Sequence, residues 1–362
     1  MKRRIIGITM SLVLCLGILL QTDVLMAEAA DTTIVDEITV DIPDCSGNIT
    51  IGWISDVHIV NDYDGHSSVT KGLDTVKLRA EGFKSDGFTS IYSRDRWFDL
   101  IDTVNSYNPD IVILGGDLMD YYSTNNASLV KAGLARIKSP YMYLRADHDY
   151  GNWYVSMSEG ETRSAHKSIA SDSVSSNVFS KNGITIVGIT NSTSQITGEQ
   201  LSKINEARKS GKVILATHVP YASKVGNSLK ALCMSRRGKE YYWGSATYTP
   251  SGSTSELISI IQDGSSMPLV LTGHLHSSWD GEIVSGVRQH IFSGGYAGNV
   301  GIVHINGIGE EEEETEEPSE PDEPELIPPP VAETTSKDKY TFFLEEPIKD
   351  TIGNVQQILG DK

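Results

Sequence analysis

The sequence predicts an α/β or α+β chain built on a mixed β-sheet, and three observations point there. Short apolar runs rich in β-branched residues recur along the chain, amphipathic stretches of helical period lie between them, and several runs end in aspartate or histidine. Of 362 residues, 39% are hydrophobic and 22% charged, enough apolar material for one large core or two modest ones. A disordered or fibrous chain is excluded.

Residues 1–30 have the parts of a secretory signal peptide: Lys2-Arg3-Arg4, the apolar run Ile5 to Leu20, and Ala27-Glu28-Ala29 as a small-x-small site, with cleavage expected near Ala29 or Ala30. An uncleaved anchor is the other use of such a run, but its sixteen residues fall short of the roughly 20 that a spanning helix needs. A lipoprotein signal through Cys15 is disfavoured by Leu14, where a small residue is wanted. The mature chain is therefore expected to be secreted, either extracellular or associated with a cell wall, with no transmembrane segment after cleavage.

Residues 31–308 form the expected folded domain. Buried strands are predicted at Ile49 to Ile54, Ile111 to Leu114, Tyr141 to Leu144, Ile184 to Ile189, Val213 to Ala216, Leu269 to Leu271 and Val300 to Ile305. Arg94 to Tyr107 reads as a helix with Trp97, Phe98, Ile101 and Val104 on one face; Gly198 to Arg208 and Ser253 to Ile261 read as two more. Val60 to Tyr92 and Ala222 to Gly252 fit the alternation poorly and are expected to be surface excursions near one sheet edge. Residues 309–336 change abruptly to acid and proline, the composition of an extended, disordered linker. Residues 337–362 form a short C-terminal segment, too short for a domain, with a possible helix from Ile352 to Leu359.

The formal charge is −18, but Glu310 to Glu325 hold eleven acids and no base, while residues 31 to 309 hold 29 acids against 23 bases. No basic face marks a nucleic-acid footprint. Outside the signal the cysteines are Cys45 and Cys233, separated by 187 residues; they form either a disulfide or two buried thiols, and cannot make a disulfide scaffold or a thiolate zinc cluster.

The chemistry lies at the strand ends. Asp56 and His58 follow the run ending at Ile54, Asp117 follows Leu114, Asp147-His148-Asp149 follows Leu144, His218 follows Ala216, and His274 and His276 follow Leu271. Any one of these alone is better explained by a turn or cap. Together they place five of the nine histidines where an open α/β sheet gathers the carboxyl ends of its strands into one crevice. In an extended segment Asp56 and His58 would point the same way, as would His274 and His276. Carboxylate and imidazole ligands without thiolates suit Mn²⁺, Fe²⁺, Zn²⁺ or Co²⁺. Seven are too many for one ion but natural for two, roughly 3.5–4 Å apart and sharing a carboxylate.

The ordered set SDVH, GGDLMD, ADHD, THVP and GHLH resembles the calcineurin-like metallophosphoesterases, whose usual motifs are DxH, GDxx, GNH[DE], a lone His and GHxH, over about residues 49 to 305. The resemblance implies a four-layer α/β/β/α sandwich of two mixed sheets flanked by helices. It implies two divalent ions, Mn²⁺, Fe²⁺ or Zn²⁺, the first held by Asp56, His58 and His276, the second by His218, His274 and Asp147, with Asp117 bridging. His148 would contact the phosphate and protonate the leaving oxygen, Asp149 would orient His148, and a metal-bridging hydroxide would be the nucleophile. The implied function is a secreted hydrolase of phosphomonoesters or phosphodiesters, acting on a small-molecule or cell-wall phosphoester.

Two departures from the family pattern matter. Asp147 stands where the family has asparagine, so a third carboxylate lowers the charge of a site with two divalent ions from +2 to +1 and predicts an alkaline activity optimum. Asp120, not tyrosine, lies three residues after Asp117, and His58 is present in the first motif, which disfavours a purple acid phosphatase centre. A nuclease is disfavoured by the acidic domain. The alternative from another class is a surface metal-binding protein that retains the fold and has lost turnover. Arg236, Arg237 and Tyr241 to Trp243 could meet a phosphate or a ring, though loop or core roles explain them as well.

Overall fold

The structure, a computed structural model, describes residues 32–309 except 44, 46, 64–66, 85–90, 171 and 174. The signal peptide, most of the acidic linker and the C-terminal segment lie outside the described residues. Along the chain the strands are β1 (Ile34–Pro43), β2 (Ile49–Ile54), β3 (Ile111–Leu114), β4 (Tyr141–Tyr143), β5 (Ser176–Lys181), β6 (Ile184–Ile189), β7 (Val213–Ala216), β8 (Leu269–Thr272), β9 (Trp279–Val284), β10 (Val287–Ile291) and β11 (Asn299–Ile308). The helices are α1 (Leu73–Lys84), α2 (Ser93–Ser106), α3 (Thr124–Leu134), α4 (Asp147–Tyr150), α5 (Glu159–His166), α6 (Gly198–Ala207), α7 (Ser228–Arg237) and α8 (Gly252–Asp263).

The strands form two mixed sheets, ordered β1-β11-β2-β3-β4 and β5-β6-β7-β8-β10-β9. Their interiors explain the near-continuous apolar runs. Ile51, Trp53, Ile111 and Ile113 of the first sheet meet Ile186, Ile214, Ala216, Leu269 and Leu271 of the second in one buried layer. The alternate residues face outward: Ile54, Val112 and Leu114 lie under Trp97, Leu100, Ile101 and Val104 of α2 and Val130 of α3. Val187, Val213, Leu215 and Val270 lie under Leu201 and Ile204 of α6 and Leu257 and Ile261 of α8. Both faces of each central strand are thus apolar, as helix-covered parallel strands require. The four layers are helix, sheet, sheet and helix.

The predicted central strands and three helices form, four of the strands with the predicted ends and the other elements with ends moved by at most three residues. The additional strands β1, β5, β9 and β10 lie at or beside sheet edges, where half-exposed faces admit Asp36, Glu37, Asp280 and Glu282 and break the apolar signal. The two supposed surface excursions contain α1 and α7. Each buries few side chains, Val76, Ala80 and Phe83 in α1 and Leu229 and Cys233 in α7, so their periodicity is faint. Cys45 and Cys233 are both buried, lie in different apolar clusters and are not joined by a disulfide. Among the described residues no helix is long and apolar enough to cross a membrane.

Candidate metal centre

β2, β3 and β4 run parallel in one sheet, and β7 and β8 run parallel in the other, so all five carboxyl ends open on one crevice. The loops beyond β2 and β3 are zipped together: Asp56 N donates to Gly116 O at 2.9 Å, His58 N to Asp117 O at 3.0 Å and Ile59 N to Leu118 O at 2.8 Å. Beyond β8, Gly273 N donates to His218 O at 3.1 Å, and His274 N reaches both oxygens of Asp56 at 3.1 Å.

Asp56, His58, Asp117, His274 and His276 all have φ between 48° and 72°. The sequence expectation of an extended backbone at the paired motifs is therefore corrected: each pair converges through left-handed turns. For residues with a Cβ such a conformation costs of order 1–3 kcal/mol, and it persists where the surroundings impose it, commonly at functional sites. Two glycines make the turns possible. Gly116, with φ of 98°, leaves space where a Cβ would come within 2.6 Å of Leu144 O and 2.8 Å of His218 Nδ1, and a Cβ on Gly273 would stand 2.4 Å from Asp56 Oδ2.

Three groups result, each with ligand atoms within 4.8 Å of one another: Asp56, His58 and His276; Asp117, His218 and His274; and His58, Asp117 and His148. Asp117 sits between them, its Oδ2 lying 3.2 Å from His218 Nε2 and 3.8 Å from His58 Nε2. His58 Nε2 faces His276 Nε2 at 2.9 Å, and His274 Nδ1 faces His218 Nε2 at 3.2 Å.

The outer ring nitrogens are held. His218 Nδ1 donates to Gly115 O at 2.7 Å, His58 Nδ1 lies 3.1 Å from Asp120 Oδ1, and His274 Nε2 lies 3.2 Å from Tyr248 Oη. These contacts turn Nε2 of His58 and His218 inward, and imidazole nitrogens directed beside carboxylates are a donor set for a divalent cation.

Asp147 adds to that set. Its Oδ1 is buried without a hydrogen-bond partner, and burial followed by the nearby charge of Asp117 pushes its carboxyl above the usual range. An orphaned buried carboxylate oxygen beside these imidazoles fits a divalent ligand. On Asp117, burial opposes the charge, but His218, His148 and His58 outweigh it and hold the carboxylate ionised.

His148 lies at the mouth, its side chain 26% exposed. Its Nδ1 lies 2.8 Å from Asp120 O and 3.2 Å from Asp120 Oδ1, and its N–H donates to Asp117 Oδ1 at 3.3 Å. Burial lowers its proton affinity, but Asp117 and Asp120 outweigh that and raise its pKa to about 10.

Asp120, not the Asp149 expected from the sequence, contacts the His148 ring. Asp149 faces away from His148 and accepts from Asp117 N at 3.0 Å, Met119 N at 3.1 Å, Ala146 N at 2.8 Å and Tyr143 Oη at 2.6 Å. As the third residue of α4 it is directed back over the turn, where it ties the Asp117 loop to the His148 loop. Burial and Asp117 push its carboxyl up to about 6 against those four donors.

Asp120 was not singled out as functional by the sequence. It is fully buried and accepts from Arg79 Nε, from Arg79 Nη2 at 2.5 Å, and from both His58 and His148. Its one signal was its place three residues after Asp117. Arg79 and Phe83, which stacks on His58 with ring centroids 4.6 Å apart, come from α1 inside a supposed surface excursion.

A two-sheet sandwich with carboxylates and imidazoles gathered at its strand ends is the setting for a dinuclear metal hydrolase. The family model for calcineurin-like phosphoesterases matches residues 49–278. The chain belongs to that family and is a hydrolase acting on phosphoester bonds. No curated protein sequence matches it significantly.

Similar solved structures include a dimetal phosphatase from Danio rerio, 13% identical, covering 69% of this chain and 88% of that one with a TM-score of 0.43. A purple acid phosphatase from yellow lupin seeds is 15% identical over 72% of this chain and 44% of that one, TM-score 0.40. A calcineurin-like phosphoesterase from Bacillus subtilis is 11% identical over 71% and 84%, TM-score 0.38.

Proposed function

We propose that this chain is an exported phosphoesterase that uses two divalent cations, Mn²⁺, Fe²⁺ or Zn²⁺, to hydrolyse phosphomonoesters or phosphodiesters. The observation that carries the proposal is the convergence of Asp56, His58, Asp117, His218, His274 and His276 on one crevice, with orphaned Asp147 and half-exposed His148 beside them. Asp56, His58 and His276 would hold one cation, His218, His274 and Asp147 the other, and Asp117 both. When bound, the cations would supply Lewis acidity and lower the pKa of bound water.

The chain's own groups do the rest. The Asp120 carbonyl engages Nδ1 of His148 and leaves Nε2 as the ring atom from which a proton can pass to the leaving oxygen. The Nδ1 contacts of His58 and His218 keep their Nε2 atoms available as ligands. The basic, apolar and small-residue segments of residues 1–30 support export, and an exported enzyme would meet its substrate outside the cytoplasm or in a cell-wall polymer.

The test is metal content together with hydrolysis of aryl phosphomonoester and phosphodiester substrates by the metal-supplemented protein and by Asp117→Ala. The expected result is about two divalent ions per chain and turnover that disappears on chelation and in the variant. Two bound ions without turnover of any ester would instead support the metal-binding protein that has lost activity.

A further inference from the structure

Helix α7 lies against the loop that carries His274 and His276. Leu275, between those histidines, packs in one apolar cluster with Leu229 and Cys233 of α7. Leu229, Cys233 and Arg237 are spaced by four residues and share a face of the helix. Arg237 therefore lies on the face that packs on Leu275, one turn beyond Cys233. Arg236 lies about 100° around the same helix.

Contacts agree with this placement. The Arg237 guanidinium is 5.8 Å from the ring centre of Tyr241, and that ring is 6.0 Å from the ring of His274. Among the described residues no carboxylate lies within ion-pair distance of Arg237; Glu240, close in sequence, is paired with Lys230 at 2.5 Å.

Charge supplies the reason for a cation here. Asp56, Asp117 and Asp147 together leave a two-cation centre with one positive charge, less than a site with a neutral amide at position 147 would have. A phosphomonoester near neutral pH carries between one and a half and two negative charges, and a diester carries one. An unpaired guanidinium beside the centre restores the missing charge and offers paired donors that fit phosphoryl oxygens.

Resting on the phosphoesterase reading above, we propose that Arg237 binds the phosphoryl group of the substrate and selects phosphomonoesters over phosphodiesters. Tyr241 offers the guanidinium its ring at 5.8 Å, and the packing of α7 on Leu275 holds the helix against the metal-binding loop.

The experiment uses the full metal-loaded chain and inorganic phosphate as the probe. Calorimetry is expected to show about tenfold weaker phosphate binding for Arg237→Gln, partial recovery for Arg237→Lys, and parental binding for Arg236→Gln. With aryl esters, Arg237→Gln is expected to raise KM for the monoester about tenfold and to move the diester KM less, with kcat changed little. Because Arg237 is exposed, its unfolding midpoint should match the parent.

Phosphate binding by Arg237→Gln within twofold of the parent would overturn the proposal, as would an equal loss in Arg236→Gln or equal losses for the two esters. If the parent hydrolyses neither ester, the phosphoesterase reading fails, while the phosphate titrations still decide whether Arg237 binds a phosphoryl group.

Discussion

Asp120→Asn separates the positioning layer of this site from simple packing. The carboxylate is 0% exposed and serves Arg79, 12% exposed, through two hydrogen bonds, and His58 and His148 through their Nδ1 atoms. Asparagine fills the same volume but brings an amide N–H₂ against the guanidinium donors and leaves its charge buried without compensation. Removing one member of a buried ion pair costs about 3–5 kcal/mol, much of it from the stranded partner. Arg79→Met alone strands the other charge, whereas the double variant strands neither, so the single losses should exceed the double loss by about 2 kcal/mol.

The assay is urea unfolding of chelated protein followed by far-ultraviolet circular dichroism and extrapolated to water. In parallel, metal affinity of Asp120→Asn should fall about 10–100-fold, because His58 loses the partner that orients it. A loss below about 1 kcal/mol for Asp120→Asn, or strictly additive single losses, would refute the claim that the pair is held as a buried charge couple.

Two further outcomes follow from other residues. Asp147→Asn should raise the stability of the chelated protein by about 1 kcal/mol, since its raised folded pKa imposes a penalty that is complete above that pKa and relieved as pH falls through it. With metal bound the sign reverses: the second cation is held less tightly, and the pH–rate profile moves to lower pH, so an unmoved profile would contradict the role given to the extra carboxylate.

His290 lies between Asp280 at 2.9 Å and Asp36 at 3.0 Å, joining β10 to β9 and to β1 of the other sheet. Burial lowers its proton affinity, but the two carboxylates outweigh that and raise it. The stabilisation is complete below the ordinary imidazole pKa and lost as pH rises through the raised folded value. A thermal midpoint that falls over that window in the parent should stay nearly level in His290→Gln.

Much of the site was legible because its candidate ligands sit at ends of strands whose runs are unmistakable. Ile111 to Leu114 and Val213 to Ala216 have apolar side chains on both faces, so each strand and the ligand after it could be placed without tertiary information. Arg79 and Leu229 were not legible in this way. Their helices bury narrow stripes, and only the folded contacts assign Arg79 to Asp120 and Leu229 to Leu275. Asp149 shows the same limit from the other side: its place in the motif was evident, but the direction of its carboxylate depends on the first turn of α4 and on donors from two loops.

The sequence by itself determined the fold class through strand periodicity and the hydrolase family, with the order of its candidate ligands, through five short motifs that resemble that family, because both are local properties. Tertiary structure decided which groups hold those ligands in place. Left-handed turns at five ligands, the Asp120–Arg79 couple and the seating of α7 on Leu275 arise from contacts between segments far apart in sequence. No local pattern encodes them, since each is imposed by packing and hydrogen bonding after the two sheets have met.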